Sequence, residues 1–281
     1  MKFSLWRQYG ALNSGPVWDA FEHSVKQAGH EVVLNSFKSD VDVIWSVLWA
    51  GRMQRNRDIW QKARKNKKPV LVIEVGGIQR GTTWRIGLNG VNRDAYFAPS
   101  ENDSSRVKQL GISMKPWRET GDYVLVCGQH EKSQQWQGLP PMKKWVENTV
   151  QELRQYTDRK IVFRPHPRLP VRFDSKLDNF VCQTPVKKQG TYDDYDIRFS
   201  GAWAVVNVCS NPGIHAVLEG IPAFVSSSSL AYPVANHDLS QIESPVMPDR
   251  TQWLNDLAHI EYTLREIEQG IPLKYLTKKL T

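Results

Sequence analysis

The stretch from Val205 to Val225 constrains the fold of this chain more than any other. Val205-Val206-Asn207-Val208 reads as a buried strand ending in a tight turn. Ser210-Asn211-Pro212-Gly213 opens a short helix, and a second buried strand follows Gly220-Ile221-Pro222. Strand, helix and strand in so few residues form the repeating unit of a layered α/β sheet. The start of such a helix leaves backbone N–H groups unpaired. Here Gly213, the hydroxyl of Ser210 and the amide of Asn211 accompany them, a combination suited to an anion. Glu219, near the other end of the helix, offers a carboxylate to a sugar diol. An ordinary packing unit would have the same outline.

A second anion-binding pattern precedes it. Arg164-Pro165-His166-Pro167-Arg168 directly follows the strand Ile161-Val162-Phe163. Two prolines stiffen the turn, so Arg164, His166 and Arg168 project from a fixed loop at the strand's C-terminal edge, where ligands of open α/β sheets bind. Guanidinium forks and an imidazole match a diphosphate; a solvated basic loop is the plainer reading. A third loop, Gly128-Gln129-His130, follows the strand Asp122–Cys127 and occupies the same kind of edge.

Arg164-Pro165-His166-Pro167, followed by Ser210-Asn211-Pro212-Gly213 and Ala216-Val217-Leu218-Glu219-Gly220-Ile221-Pro222, resembles the C-terminal half of GT-B-fold glycosyltransferases. It is most similar to the group containing capsule-polysaccharide and CDP-glycerol transferases, over about residues 120–230. The resemblance implies two doubly wound Rossmann-like α/β domains with a cleft between them. The N-terminal domain (1–118) would bind the acceptor and the C-terminal domain (119–281) the nucleotide sugar, with the last helix packing back on the first. It further implies that Arg164, His166, Ser210 and Asn211 face the donor's diphosphate and Glu219 its ribose; Gly128, Gln129, Arg168 and Gly213 are expected beside them as donor-binding residues. A UDP-sugar is the expected co-substrate, with no tightly bound cofactor and no metal. The chain is shorter than those relatives, which leaves less room for membrane-associating extensions.

The first half alternates strand and helix: residues 2–6, a helix from Gly15-Pro16 to Gly29, strands at 31–34, 42–48 and 69–74, and a basic helix before the last of these. Residues 78–118 lack periodicity and read as loops. At the other end, Trp253, Leu254, Leu257, Ile260, Leu264 and Ile267 fall on one stripe of a single final helix. The acidic run Tyr192-Asp193-Asp194-Tyr195-Asp196 reads as a solvated cap in preference to a metal site. Cys127, Cys182 and Cys209 fit neither a zinc site nor a disulfide framework, and so read as reduced thiols. With no long apolar run and no secretory signal core, the chain is expected to be a cytoplasmic, non-membrane monomer, in the host cytoplasm if phage-encoded.

Net charge is +8, and most of it sits in one place. Arg52, Arg55, Arg57, Lys62, Arg64, Lys65, Lys67 and Lys68 face Asp58 alone, which suggests a polyanion partner. Eleven tryptophans, many in the same half, suit exposed or extruded bases. They also suit a core beneath a solvated basic face. A small, basic, tryptophan-rich enzyme of this kind resembles, in architecture only, the phage glucosyltransferases that modify hydroxymethylated bases in DNA. The leading expectation is therefore sugar transfer to such a base. A carbohydrate or polyol-phosphate acceptor is the alternative, and a non-catalytic nucleic-acid-binding module is an alternative of another class. For a general base the choice is Glu74, at the end of a buried strand before Val75-Gly76-Gly77, where a substrate could approach the backbone; Asp94 and Asp19 rank behind it.

Overall fold

The computed structural model describes residues 1–173, 177–190 and 195–280. In chain order its elements are β1 (Lys2–Leu5), α1 (Gly15–Gln27), β2 (Glu31–Leu34), β3 (Val41–Trp45), α2 (Asn56–Lys65), β4 (Val70–Val75), β5 (Trp84–Leu88), α3 (Ser105–Gln109), β6 (Tyr123–Cys127), α4 (Met142–Leu153), β7 (Lys160–Arg164), β8 (Phe180–Cys182), β9 (Ala202–Val206), α5 (Asn211–Leu218), β10 (Ala223–Phe224), α6 (Thr251–Ala258), β11 (Glu261–Tyr262), α7 (Leu264–Glu268) and α8 (Ile271–Leu280). They divide into two compact units. Met1–Leu110 and the segment from Leu254 onward make the first, and Gly111–Trp253 the second.

The first unit is built on a sheet of order β11-β5-β4-β3-β1-β2. Successive side chains of a strand point to opposite faces, and its core divides accordingly. Val43, Trp45, Leu71 and Ile73 pack with Trp18, Phe21 and Val25 of α1 and with Tyr262, Ile267 and Leu273. Ile44, Val70 and Val72 pack on the opposite face with Ile59, Trp60 and Ala63 of α2. Covered on both faces, β3 is buried throughout, as its apolar run requires. Strand β3 stops three residues short of its expected end, because Ser46 takes a left-handed turn (φ 59°).

Two expectations for this unit are corrected. Residues 78–118 are not all loop: Trp84–Leu88 forms β5, antiparallel to β4, and Ser105–Gln109 forms α3. The single final helix is broken by β11, which pairs antiparallel with β5, so this sheet is mixed. Thr263 restarts the helix with a capping box, its hydroxyl taking the Glu266 amide while the Glu266 carboxylate takes the Thr263 amide.

The second unit has a parallel sheet of order β10-β9-β6-β7-β8. The chain runs outward from β6 through β7 to β8, then returns to lay β9 on the other side of β6. The topological switch therefore lies between β6 and β9, where open α/β sheets bind ligands at their C-terminal edge. Helix α4 covers one face, burying Met142, Val146, Val150 and Leu153 against Val124, Val126, Ile161 and Phe163. No helix among the described residues is long and apolar enough to cross a membrane.

Candidate functional site

Because β9, β6 and β7 are parallel neighbours, the loops after them emerge along one edge. Gly128 brings the first two together: its N–H donates to the Arg164 carbonyl (2.8 Å). A Cβ at Gly128 would stand 3.2 Å from Phe163 and 3.3 Å from the His166 nitrogen, so a larger residue would push these loops apart. The rings of His130 and His166 meet edge to face, with centroids 5.2 Å apart. Gln129, buried, accepts from the Cys209 thiol (3.3 Å), which ties the loop after β6 to the one after β9. Residues from three separate sequence motifs thus share one edge of one sheet.

Ser210 is the N-cap residue of α5 by position and backbone angles, but its hydroxyl caps no amide. Instead Asn207 Nδ2 donates to both Ser210 Oγ (2.9 Å) and the Ser210 carbonyl (2.8 Å), leaving the hydroxyl hydrogen for another acceptor. Gly213 is small because Asn207 lies beneath it: a Cβ there would be 2.7 Å from Asn207 Oδ1. Asn211 lies in the first turn of α5.

Arg164 does not simply project from the loop. Its side chain is buried, Nε donating to Gln183 Oε1 (2.7 Å) and Nη2 to the Arg198 carbonyl, while Nη1 is buried without a partner. An unpaired buried guanidinium nitrogen is costly, and an anion reaching it would complete the set. His166 accepts the Arg168 amide on Nδ1 (3.1 Å), and Arg168 is exposed.

Glu219 lies apart from that edge, at the C-terminal end of α5, exposed and paired with Lys115 (2.5 Å). With Lys115, Arg118, Ile197, Phe199, Ser200 and His215 it lines a pocket of about 370 Å³. Gly220 makes one wall possible. It has φ 74°, and a Cβ would sit 1.9 Å from the Pro116 carbonyl, so only glycine lets the 115–118 segment lie against the helix end. Sequence reading named Glu219 but missed Lys115, Arg118 and His215, because the two cations come from an irregular segment without a motif.

In the first unit, Glu74 is half-buried near the end of β4. Ser46 Oγ donates to one carboxylate oxygen (2.7 Å) and the Val75 amide to the other (2.9 Å). The expected open approach at the glycines is corrected. A Cβ at Gly76 would lie 2.3 Å from Thr83 Oγ1 and 2.7 Å from Glu261 Oε2, so that space is already filled. Glu261, fully buried, organises the turn by accepting from Gly77 N (2.5 Å), Ile78 N (3.1 Å) and Thr83 Oγ1 (2.8 Å). Asp19 is exposed and paired with Arg7.

Seven of the eight cations named on and around α2 are exposed: Arg52, Arg55, Arg57, Lys62, Arg64, Lys65 and Lys67. Lys68 is the exception and corrects its assignment to the open face. It pairs with the buried Asp42 (3.0 Å) and donates to Ser39 Oγ (2.7 Å). Arg55 meets Asp58 only at 3.5 Å in solvent, and such a contact contributes roughly 0–1 kcal/mol, too little to withdraw it from a partner. Lys62 sits 3.6 Å over the Phe37 ring. Trp6, Trp18, Trp45, Trp49 and Trp60 are all core residues, so they offer no stacking platform for bases.

Cys127 and Cys209 are buried and Cys182 is exposed, all as free thiols. Burial pushes the Cys127 thiol up to about 11 against the opposing charge of Arg164. Among the described residues no group of three or more His, Cys, Asp or Glu side chains is placed to hold a metal. Of the acidic run, Tyr192, Asp193 and Asp194 lie outside the described residues.

No family model matches the chain, and no curated protein matches it. Among the solved structures that share its fold are two from one organism. One is Thermosulfurimonas dismutans KpsC, beta Kdo 2,4 transferase, at 13% identity and TM-score 0.52 over 92% of this chain and 90% of that one. The other is Thermosulfurimonas dismutans KpsC, beta Kdo 2,7 transferase, at 15% identity and TM-score 0.53 over 98% of this chain and 100% of that one. At these identities the likeness is one of fold: an α/β architecture of two helix-flanked sheets.

Proposed function

We propose that this chain is a nucleotide-sugar-dependent glycosyltransferase acting on a carbohydrate or polyol-phosphate hydroxyl. The observation that carries the reading is the convergence of the loops after β9, β6 and β7 at the switch point of a parallel sheet. Gly128, Gln129, Arg164, His166, Arg168, Ser210, Asn211 and Gly213 all lie on or beside those loops. Diphosphate is the chemistry they suit: a hydroxyl hydrogen, a helix start, imidazoles and guanidinium groups. A UDP-sugar is the first choice of donor; Glu219, at the far end of α5 from those loops, stays outside this site. Two fold relatives described as Kdo transferases support sugar transfer as the reaction type.

In the step itself the bond from the anomeric carbon to phosphate oxygen breaks, its electron pair staying on the phosphate. The acceptor oxygen bonds to that carbon and gives its proton to a general base, the role proposed for Glu74. A carboxylate has about four lone-pair sites, and Ser46 and Val75 use two, so Glu74 retains room for a hydroxyl.

A second acceptor, a hydroxymethylated base in DNA, is favoured by the seven exposed cations of the α2 region. The buried tryptophans count against it, since base capture draws on exposed aromatics. Incubation with a nucleotide-sugar panel and three acceptor sets (oligosaccharides, polyol phosphates and hydroxymethylated duplex DNA) decides the matter by nucleotide release and acceptor mass. A mass gain on the first or second set is expected. A gain on DNA alone transfers the reading to base modification. Nucleotide binding with no turnover of any donor would reduce the chain to a non-catalytic module.

A further inference from the structure

We propose that His130 donates a hydrogen bond from Nε2 to the phosphate that leaves with the nucleotide, and does so as a neutral imidazole. The inference rests on the glycosyltransferase reading and adds to it a residue outside the two motifs that suggested the reaction. His130 stands in the loop after β6, beside the switch point, and is 8% exposed. That loop is braced on both sides: Gly128 is held by the Arg164 carbonyl, Gln129 takes the Cys209 thiol, and Ser133 N donates to the His130 carbonyl (2.9 Å). The imidazole is therefore fixed in place before any ligand arrives.

Its tautomer follows from one contact. Nδ1 accepts the Lys132 amide at 3.2 Å, so a neutral ring carries its hydrogen on Nε2. Among the described residues none is hydrogen-bonded to that nitrogen. The ring stands edge to face against His166, at 5.2 Å between centroids and 73° between planes. His166 is oriented in the same way, its Nδ1 taking the Arg168 amide. The charged and titratable groups around His130 are Arg168, Lys132, Glu131 and His166. Burial first, then the positive charges of Arg168 and Lys132, hold its pKa below the ordinary histidine value, with Glu131 opposing. The ring is thus neutral at neutral pH.

A neutral imidazole does not surrender its remaining proton, and the step balances without such a transfer. When the bond from the anomeric carbon breaks, the phosphate oxygen gains charge and the existing hydrogen bond shortens. The Nε2 hydrogen stays on nitrogen. A preorganised donor of this type acts where charge develops, lowering the barrier more than it tightens ground-state binding.

The tests are His130→Leu, which removes the donor, His130→Gln, which keeps one, and nitrogen NMR of the wild-type imidazoles. Loss of an oxyanion-type donor costs about 100- to 1,000-fold in kcat, so His130→Leu should fall in that range with donor KM changed less than about threefold. His130→Gln should recover part of the loss. Near-normal kcat in both variants, or a loss confined to KM, overturns the assignment. A wild-type kcat that falls as pH rises from about 6 to 7, tracking loss of imidazolium, overturns the neutral form. NMR separates this inference from the reaction itself. Added UDP should shift the His130 Nε2 resonance and leave Nδ1 unprotonated, even if no sugar is turned over. An unmoved resonance under saturating UDP would refute the contact. The NMR readout also holds if His130→Leu fails to fold.

Discussion

At Glu74 two donors, one hydroxyl and one amide, already fix the carboxylate without saturating it. Glu74→Gln keeps the shape but cannot take a proton, so turnover is expected to fall about 100-fold or more. Nucleotide affinity by calorimetry should hold within about twofold, since the residues proposed for the donor belong to the other unit. Retained turnover would move the role to Asp94 or Asp19. The sequence named the side chains of this reading because each sits in a short local pattern: proline-stiffened cations, a helix start, a strand-end acid. It did not reveal where those side chains go. Arg164 turns into the protein because its acceptors are Gln183 and the Arg198 carbonyl, 19 and 34 residues further on. His130 stood beside residues that were chosen, yet only its contact with the Lys132 amide shows which nitrogen carries the hydrogen.

Among elements, β11 has an influence far beyond its two residues. Glu261 holds the turn after β4 and stands 3.8 Å from the buried Arg85 of β5. Glu261→Ala would leave the Gly77 and Ile78 amides without their acceptor, and a buried donor so stranded costs about 1–3 kcal/mol. Urea unfolding should register a loss of at least about 1 kcal/mol, whereas unchanged stability would mean the turn holds without the carboxylate. The parallel strands β3, β4, β6 and β9 were legible because burial on both faces demands an unbroken apolar run. Strand β5 was not, because Arg85 and Gly87 interrupt its pattern: Arg85 meets Glu261 far along the chain, and Gly87 leaves room for the Gly90 carbonyl and Phe97. For β11 the apolar spacing from Trp253 to Ile267 imitated one helix, although Thr263 and Glu266 spelled out a second start. The basic α2 was legible in its charge and its inward face, but the tryptophans could be assigned to core or surface only once Ile44, Val70 and Val72 were seen against them.

On the scale of the whole molecule, each unit contains a carboxylate clasped by an arginine. In the first, Glu266 pairs with Arg106; in the second, Glu243 pairs with Arg159. Burial pushes both carboxyls up, but bonds from the arginines and from Thr263 and Thr157 outweigh it and leave both below the usual range. A depressed carboxyl stabilises the folded form fully above the unfolded pKa, about 4.3, and that stability is lost as pH falls through the folded value. Calorimetric melting should therefore hold steady near neutrality and decline below about pH 4, and Glu266→Gln should flatten part of that decline. An unchanged acid profile in the variant would show that the Arg106 clasp contributes nothing to it. The division of the chain also sets an order for synthesis. The residues that finish the first sheet, Glu261 and Tyr262, leave the ribosome only after the entire second unit. Until then β5 is an open edge, whereas the second unit can already close. Vectorial folding thus favours completing the second unit first, and the nascent first unit is the stage at which chaperone protection against edge-to-edge pairing matters most.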